Sequence, residues 1–308
     1  MAAAKVGAGC WQQRDAPGGH RCAQNIANQA IQGGSRCRSL EQKRTRLART
    51  GPRHTGNTAA PFRDRQGRRD PRRKVFSPPD FPDTVPALDP FILRQRLEHA
   101  RLLLVFSPSS LQAGLAVLEA ALPHVDLVQV RPKQAREERS SSALARDWTR
   151  AVLKLVAHAP DVAPLVMVND HVDVAALLRN EGCAGVHLGQ EDCPVQEARA
   201  FLGADLLIGL STHTNEQVAA TWNEPVDYLG FGPIYPSSTK STGPALGPER
   251  AWIAASATTR PLFPIGGIDR SCAAELAQVG RAAVSSAILT AEDPGSVAQT
   301  LRALLSPD

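Results

Sequence analysis

PLVMVNDHVDVAALLRNEGCAGVHLGQED, residues 164–192, is the stretch around which the rest of the chain is organised. PLVMV and AGVHL are apolar runs of strand length, and the segment HVDVAALLRNEG between them carries apolar residues at helical spacing. The stretch predicts a strand–helix–strand unit, which is long enough for the crossover that two parallel strands require. The predicted strands end in polar tips, Asn169-Asp170 on the first and Gln190-Glu191-Asp192 on the second.

These tips predict a pair of carboxylates at one edge of the sheet. Side chains at the carboxyl ends of neighbouring parallel strands converge, so Asp170 and Asp192 are expected to face each other across a short gap. Paired carboxylates with room for water suit Mg²⁺ bound to a phosphorylated substrate. The alternative is structural: Asp170 caps the following helix, and Asp192 begins a turn before Pro194.

Apolar strand candidates recur along the rest of the chain, with helical stretches between them. They are LLLVFS (102–107), VDLVQVR (125–131), PLVMVND (164–170), GVHLGQ (185–190), LLIGLS (206–211), VDYLGFGPIY (226–235), PLFPIGGI (261–268) and AAVSSAI (282–288). A lead-in helix, DPFILRQRLEHAR, precedes them, with Asp89 at its cap and Pro90 in its first turn. The pattern predicts an α/β fold, a closed (β/α)8 TIM barrel over residues 88–308, with a doubly wound open sheet as the alternative.

Residues 1–87 form a different kind of segment, basic and rich in Gly, Pro, Gln and Asn. Residues 1–75 hold 17 Lys and Arg against 4 Asp and Glu, whereas the remainder holds 18 against 26. Such composition buries too little apolar surface to offset the entropy of ordering it, so we expect a disordered extension and linker. Non-specific nucleic-acid binding and a transit peptide are alternatives, and we expect neither.

Bulk properties of the chain limit the classes of protein it can belong to. Among its 308 residues no apolar run reaches the length of a membrane span, so we expect no membrane partner. The start, MAAAKVGAGCWQQRD, lacks the apolar core of a secretory signal, and the six cysteines form no C-x-x-C pair. These features predict a cytoplasmic protein with reduced thiols, and they leave open a homo-oligomer.

Several predicted strand ends carry residues suited to binding anions. Strand two ends in QVRPK, where alternation points Gln129, Arg131 and Lys133 the same way, although a basic surface turn would look alike. Strand five ends in Ser211, followed by Thr214 as a helix cap. The loop at 232–247 carries Ser237, Thr239 and Lys240. Glycines in IGGI (265–268), with Ser285 and Ser286, suit the phosphate cradle that this fold forms after strands seven and eight.

Together these motifs resemble the thiamine-phosphate synthase family over residues 100 to 305. The specific pieces are QVRPK (129–133), VND (168–170), GVHLGQED (185–192), GLSTH (209–213), GFGPIYP with the later TK (230–236, 239–240) and IGGI (265–268). The resemblance implies an Mg²⁺-dependent transferase of thiamine biosynthesis. Such an enzyme joins 4-amino-2-methyl-5-hydroxymethylpyrimidine diphosphate to a thiazole phosphate and releases pyrophosphate.

The resemblance also implies roles for individual residues. It places Asp170 and Asp192 on the metal, and Arg131, Lys133, Ser211 and Lys240 in catalysis. The implied pyrimidine diphosphate site is Gln129, Val130, Arg131, Pro132, Lys133, Asn169, Ser211 and Lys240. The implied thiazole phosphate site is Ser237, Ser238, Thr239, Gly267, Ser285 and Ser286.

The chain departs from the family pattern at several positions, most of them towards its end. Pro132 stands where an acidic residue is common, and Ser237 where Thr is usual. Pro264 lies inside a predicted strand and removes a ladder hydrogen bond. The segment QVGRAAVSS (278–286) is about two residues short of the family length, and Ser285 replaces an apolar residue. The alternatives are a thiazole tautomerase-like barrel, which tends to lack the metal pair and Thr239-Lys240, and a non-catalytic regulatory barrel.

Overall fold

The structure is a computed structural model, and it describes residues 89–133, 141–159, 163–236 and 244–306. Residues 1–87 lie outside these ranges, so the predicted boundary between a basic extension and the barrel domain stays a prediction. No helix in the described ranges is both long enough and apolar enough to cross a membrane.

The lead-in helix begins where its capping residue predicts. Helix α1 spans Pro90–His99, and the carboxylate of Asp89 accepts hydrogen bonds from the backbone N–H groups of Phe91 (2.8 Å) and Ile92 (3.3 Å). Pro90 occupies the first turn, where its missing N–H leaves no intrahelical bond unmade. Leu93 and Leu97 are buried, so the helix covers the amino-terminal end of the barrel interior.

Eight parallel strands form one sheet in the described part of the chain. They are β1 (Leu102–Phe106), β2 (Leu127–Val130), β3 (Leu165–Asn169), β4 (Cys183–Leu188), β5 (Leu207–Thr212), β6 (Tyr228–Phe231), β7 (Leu262–Pro264) and β8 (Ala282–Val284). Their order in the sheet is β7-β6-β5-β4-β3-β2-β1-β8. Among the described residues one further bridge, Ile265 with Ala283, joins β7 to β8 and closes the cylinder, which confirms the predicted barrel over the open sheet.

Most of the predicted connecting helices are present around the strands. After α1 the helices are α2 (Leu111–Ala121), α3 (Ser141–Val156), α4 (Val172–Leu178), α5 (Val195–Leu202), α6 (Asn215–Ala220), α7 (Pro248–Ser256), α8 (Ser286–Leu289) and α9 (Pro294–Leu304). Of these, α8 was not predicted. The helical stretch expected between strands seven and eight is wrong, because the described chain between β7 and β8 forms only a 3₁₀ turn, Ala273–Leu276. Strand eight was also predicted too long: β8 ends at Val284, and α8 begins at Ser286.

Alternation along the strands divides the core into two layers. Side chains such as Val128, Val166 and Ile208 point outward and pack against the helices. The inward set fills the lower part of the cylinder with apolar side chains, so the barrel is packed rather than hollow. It comprises Leu103, Val105, Leu127, Leu165, Met167, Ala184, Leu207, Tyr228, Phe263 and Ala283.

Pro264, the last residue of β7, lies next to the boundary between β7 and β8, where backbone pairing is sparse. Ile265 donates its N–H to Phe231 O on β6 at 2.9 Å, so the nitrogen of Pro264, one residue earlier, faces β8 instead. That is the side on which pairing is reduced to one bridge. The lost ladder bond expected from this proline therefore falls between β7 and β8, which we call the seam.

Candidate functional site

The carboxyl-terminal end of the barrel interior is polar, in contrast to the apolar layer beneath it. Gln129 on β2 and Asn169 at the end of β3 point inward, and Nε2 of Gln129 donates a 2.6 Å hydrogen bond to Oδ1 of Asn169. Gln129 is only 5% exposed, so its amide depends on this partner. Asn169 is the acceptor in this pair, so its amide nitrogen is the group with which it can donate to a ligand.

A cavity of about 440 Å³ opens above this amide pair. Its lining joins the end of β2 to the end of β3 and includes five residues that the sequence predicted for the site. The lining residues are Ser107, Arg131, Pro132, Lys133, Ser141, Leu144, Ala145, Asn169, Asp170 and His171. Two cations, an amide and a carboxylate thus share one pocket large enough for a small phosphorylated molecule.

The strand pairing explains how the basic residues reach this pocket. Arg131 donates its N–H to Phe106 O at 2.9 Å, which continues the pairing of β1 and β2 one residue beyond the strand. The Arg131 side chain is half-buried and that of Lys133 is exposed. The side chain of Val130, also predicted for the site, is fully buried against the helices, so it leaves only its backbone at the rim.

Asp170 follows β3 in a left-handed backbone conformation, with φ 63°. A non-glycine residue rarely adopts this conformation, and such residues concentrate at functional sites. The N–H of Asp170 donates to His187 O at 2.8 Å, which ties the end of β3 to β4. The N-cap of α4 is His171, one residue further on.

Asp192 ends a tight turn that starts at Gly189 after β4, whereas the structural alternative has it begin a turn before Pro194. Its Oδ2 accepts a 2.7 Å hydrogen bond from the N–H of Gly189. The carboxylate is nevertheless exposed, and it stands after β4, the strand next to the one that ends at Asp170. The turn therefore orients the carboxylate at the rim instead of removing it from solvent.

Asp170 and Asp192 each supply the hard carboxylate oxygens that Mg²⁺ prefers, at the ends of neighbouring strands. Within the described ranges, no group of three or more His, Cys, Asp and Glu side chains could hold a metal by itself. Mg²⁺ does not require such a cage, because it usually keeps several waters and binds one or two carboxylates together with substrate phosphates. The donor set present at this rim is of that kind.

Ser211 stands at the end of β5, where two side chains from β4 and its turn hold it. Its Oγ lies 2.9 Å from Nε2 of His187, and its carbonyl accepts a 2.6 Å bond from Nε2 of Gln190. His187 in turn lies 3.0 Å, through Nδ1, from the hydroxyl of Tyr228 on β6. Sequence reasoning gave His187 and Tyr228 no role. A polar residue at an inward position of β4 was the signal available for His187.

The glycines of the segment after β7 support the loop that follows β6. Gly266 and Gly267 have φ values of 103° and 65°. A Cβ at Gly267 would lie 2.4 Å from the carbonyl oxygen of Pro236, so only glycine fits there. The backbone of Ile234 donates to Ile265 O and that of Tyr235 to Gly266 O, which fixes the start of the loop. Ser237, Ser238, Thr239 and Lys240, predicted for its tip, lie outside the described residues.

Ser285 and Ser286 follow β8, which pairs with β1 and lies outside the two strands that end at the cationic cavity. The hydroxyl of Ser285 donates a 2.8 Å hydrogen bond to Val105 O on β1, so this side chain helps to hold β8 against β1. Ser286 is exposed at the start of α8. The structure thus separates the two predicted serines into an inward structural position and an exposed one.

Fold and rim together define a (β/α)8-barrel protein with a basic, polar cavity at the carboxyl-terminal end of its strands. Residues 102–288 match the sequence model of the family described as thiamine monophosphate synthase. The thiamine-phosphate synthase of Mycolicibacterium smegmatis is 38% identical over 219 residues, which are 69% of this chain and 95% of that protein. The chain therefore belongs to the thiamine monophosphate synthase family.

Two further relatives show how much of the chain the similarity covers. The thiamine-phosphate synthase of Gloeobacter violaceus is 41% identical over 210 residues, which are 66% of this chain and 57% of that protein. This chain thus spans just over half of that longer relative. A solved structure of thiamine phosphate pyrophosphorylase from Pyrococcus furiosus superimposes with a TM-score of 0.56 at 26% identity and covers 69% of this chain and 97% of that one.

Proposed function

We propose that this protein is a thiamine-phosphate synthase. It joins 4-amino-2-methyl-5-hydroxymethylpyrimidine diphosphate to 4-methyl-5-(2-phosphoethyl)thiazole and forms thiamine monophosphate and pyrophosphate. The observation that carries the proposal is the cavity at the ends of β2 and β3, where Arg131 and Lys133 line the same space as Asn169 and Asp170. Membership of the family and the printed names of the relatives support it.

In this proposal the barrier is charge separation as the diphosphate leaves the pyrimidine methylene. Arg131 and Lys133 stabilise the departing negative charge, the Arg with a planar fork of donors and the Lys with a compact charge. Fixed cations at the point where charge develops need no rearrangement during the reaction. Lys240, outside the described residues, would add a third positive charge.

The amide pair orients the pyrimidine. Because Gln129 holds the oxygen of Asn169, the Asn169 amide nitrogen is available as a donor to a ring nitrogen or to the diphosphate. Asp170 and Asp192 would hold Mg²⁺, which when bound would neutralise diphosphate charge and orient the leaving group. Arg131 and Lys133 would thus act on the diphosphate directly, whereas Asp170 and Asp192 would act on it through the metal ion.

The opposite part of the rim receives the thiazole phosphate. We assign this role to Gly267 and Ser286, with Ser237, Ser238 and Thr239 from the loop. Ser285 contributes through its backbone, since its hydroxyl is engaged with Val105 O. The loop, supported at Ile234 and Tyr235 by the segment after β7, would keep water from the cation formed on the pyrimidine.

An assay of the purified full-length chain tests the proposal. With both substrates and Mg²⁺ we expect thiamine phosphate and pyrophosphate in equal amounts, and with the thiazole phosphate omitted we expect no thiamine phosphate. Addition of a chelator should abolish turnover. Absence of both products from a folded protein would contradict the proposal. Conversion of a thiazole carboxylate tautomer without any pyrimidine substrate would favour the tautomerase-like alternative.

A further inference from the structure

Three side chains form a hydrogen-bonded chain across the barrel interior, from β6 through β4 to β5. The hydroxyl of Tyr228 lies 3.0 Å from Nδ1 of His187, and Nε2 of His187 lies 2.9 Å from Oγ of Ser211. Tyr228 is fully buried and His187 is 7% exposed, so the hydrogens of this relay are shielded from water. Only its last member, Ser211, stands at the rim.

Tyr228 is the most deeply buried of the three side chains, and its ring packs edge-on against Phe263 in the apolar layer. The hydrogen-bond direction of its hydroxyl determines the direction of the other two bonds. Within the described residues, the acceptor in hydrogen-bond range of its hydroxyl is Nδ1 of His187. If the hydroxyl only accepted a bond from His187, its own proton would be left unpaired inside the barrel, which is strongly disfavoured. Burial, and to a lesser extent the nearby charge of Asp227, raises the pKa of Tyr228, so the hydroxyl keeps its proton.

This assignment determines the tautomer of the imidazole. A neutral imidazole has one N–H and one acceptor nitrogen, so a ring that accepts at Nδ1 carries its proton on Nε2. Nε2–H then donates to Oγ of Ser211. The hydroxyl proton of Ser211 cannot point back at His187 and is directed to the rim. In the other tautomer Ser211 would donate to His187 and would offer only lone pairs to an anionic ligand.

Two glycines lie against the rings of Tyr228 and His187 inside the barrel. A Cβ at Gly209 on β5 would lie 2.2 Å from Cζ of Tyr228 and 2.6 Å from Nδ1 of His187. A Cβ at Gly230 on β6 would meet Cε1 of His187 at 3.4 Å. Because any side chain at Gly209 would occupy the space of both rings, the relay is part of the barrel's construction.

We infer that Tyr228 is a positioning residue: it holds His187 in the Nε2–H tautomer, and His187 thereby directs the hydroxyl proton of Ser211 towards the anionic group of the substrate. The substrate part of this inference rests on the proposed function. The tautomer part concerns the protein alone, and the two can be measured separately.

The tautomer is read by NMR on the full-length chain labelled with ¹⁵N-histidine, without substrate. The variant His187→Gln identifies the His187 signals among those of the eight histidines. We expect a protonated Nε2 in the wild type and a mixed or inverted tautomer in Tyr228→Phe. Tyr235→Phe is the matched control, because it removes a hydroxyl bonded to Glu275, away from the relay, and should leave the tautomer unchanged. A wild-type Nδ1–H tautomer, or no change in Tyr228→Phe, would overturn the inference.

Kinetics then test the link to Ser211. We expect Tyr228→Phe to lower kcat by about tenfold to a hundredfold, in the range seen when a supporting partner of an active group is removed. The double variant Tyr228→Phe/Ser211→Ala should be no slower than Ser211→Ala alone, since the residues act as one unit. A wild-type rate in Tyr228→Phe, or multiplicative losses, would overturn the inference. A wild-type protein that forms no thiamine phosphate would overturn the proposed function, and the tautomer would still decide the relay.

Discussion

The two ends of the barrel use the same charged residue types for opposite purposes. At the amino-terminal end, Asp227 is held by Arg94 at 3.0 Å, by Arg199 at 2.5 Å and by the N–H of Ile208 at 2.8 Å. Asp126 repeats the arrangement: its carboxylate accepts bonds from the backbone N–H groups of Arg101 and Leu102 and from Arg302.

At the carboxyl-terminal end the charged groups face solvent or a cavity. Arg131 and Lys133 line the 440 Å³ cavity, and the carboxylates of Asp170 and Asp192 are exposed. The amino-terminal end also has a cavity, of about 350 Å³, lined by Arg96, His99, Asp126 and Arg302 among others. There, however, Arg302 already pairs with Asp126, and Arg96 donates to the carbonyl of Ala163.

The partners of a charge, more than its presence, therefore distinguish a binding surface from a structural one. Charges at the amino-terminal end bond to backbone groups and to each other, and they hold strands and helices in register. Charges at the carboxyl-terminal end are directed into the space where a ligand would lie, as is usual for this fold. Substitutions at the two ends should therefore separate catalysis from stability.

The largest effect should come from Lys133 at the carboxyl-terminal end. We expect Lys133→Ala to lower kcat about 10²- to 10³-fold, because one fixed positive charge is lost where the diphosphate departs. Asp170→Ala should have an effect of similar size. The free energy of unfolding of Lys133→Ala, measured by thermal denaturation, should differ from that of the wild type by less than about 0.5 kcal/mol, since the side chain is exposed.

The control for Lys133 is Lys154→Ala, which removes an exposed lysine of α3 outside the cavity lining. It should leave kcat at the wild-type value. Near-normal turnover in both Lys133→Ala and Asp170→Ala would remove the assigned roles of the carboxyl-terminal end.

The next effect should come from the amino-terminal end, with the opposite signature. We expect Asp227→Ala to lower the free energy of unfolding by about 3 kcal/mol, because Arg199, whose side chain is only 19% exposed, loses its carboxylate partner. The kcat of the folded protein should change by less than about threefold, since the described partners of the Asp227 carboxylate, Arg94, Arg199 and the N–H of Ile208, all lie at the amino-terminal end. Denaturant unfolding and steady-state kinetics on the same preparation measure both quantities.

Asp205→Ala provides the matched control for Asp227. It breaks an ion pair with Arg179 that spans 3.7 Å and whose aspartate is 65% exposed. Such pairs contribute at most about 1 kcal/mol. Equal losses in the two variants would mean that the amino-terminal aspartates do not hold the barrel together in the way described.

The smallest of these effects should appear at Gly267, where rim and framework meet. We expect Gly267→Ala to lower the free energy of unfolding by about 1 to 3 kcal/mol, because a Cβ would press on the carbonyl of Pro236 at a positive φ. The KM for the thiazole phosphate should rise as the loop is displaced. Gly203→Ala is the control, since its φ is 73° but a Cβ there meets nothing within 4 Å. If both variants behave alike, the contact with the loop contributes nothing.

Alternation and strand-end reasoning predicted the barrel and the first half of the rim. The sequence places Gln129, Arg131 and Lys133 on one side of a strand, and the structure gathers the two cations into one cavity with Asn169 and Asp170. Such groupings are predictable because they depend on two neighbouring strands with regular periods.

Contacts that depend on distant strands could not be read in this way. His187 and Tyr228 are 41 positions apart, and their hydrogen bond follows from the shape of the barrel interior. The bond from the hydroxyl of Ser285 to Val105 O joins residues 180 positions apart, so the strand-end pattern could not predict it. The helix predicted between β7 and β8 shortens to a 3₁₀ turn, followed by Gly280 at φ 70°.

In the described part of the chain, one bridge, Ile265 with Ala283, joins β7 to β8, so this is the least firmly paired side of the cylinder. Because β7 and β8 share the least backbone pairing, local opening of the barrel should begin between these two strands. The four paired positions between β3 and β4 should remain joined during such opening. Gly266 and Gly267 follow β7 at the end of this boundary, and they also support the start of the loop after β6. Fluctuations that separate β7 from β8 should therefore also disturb the support of that loop.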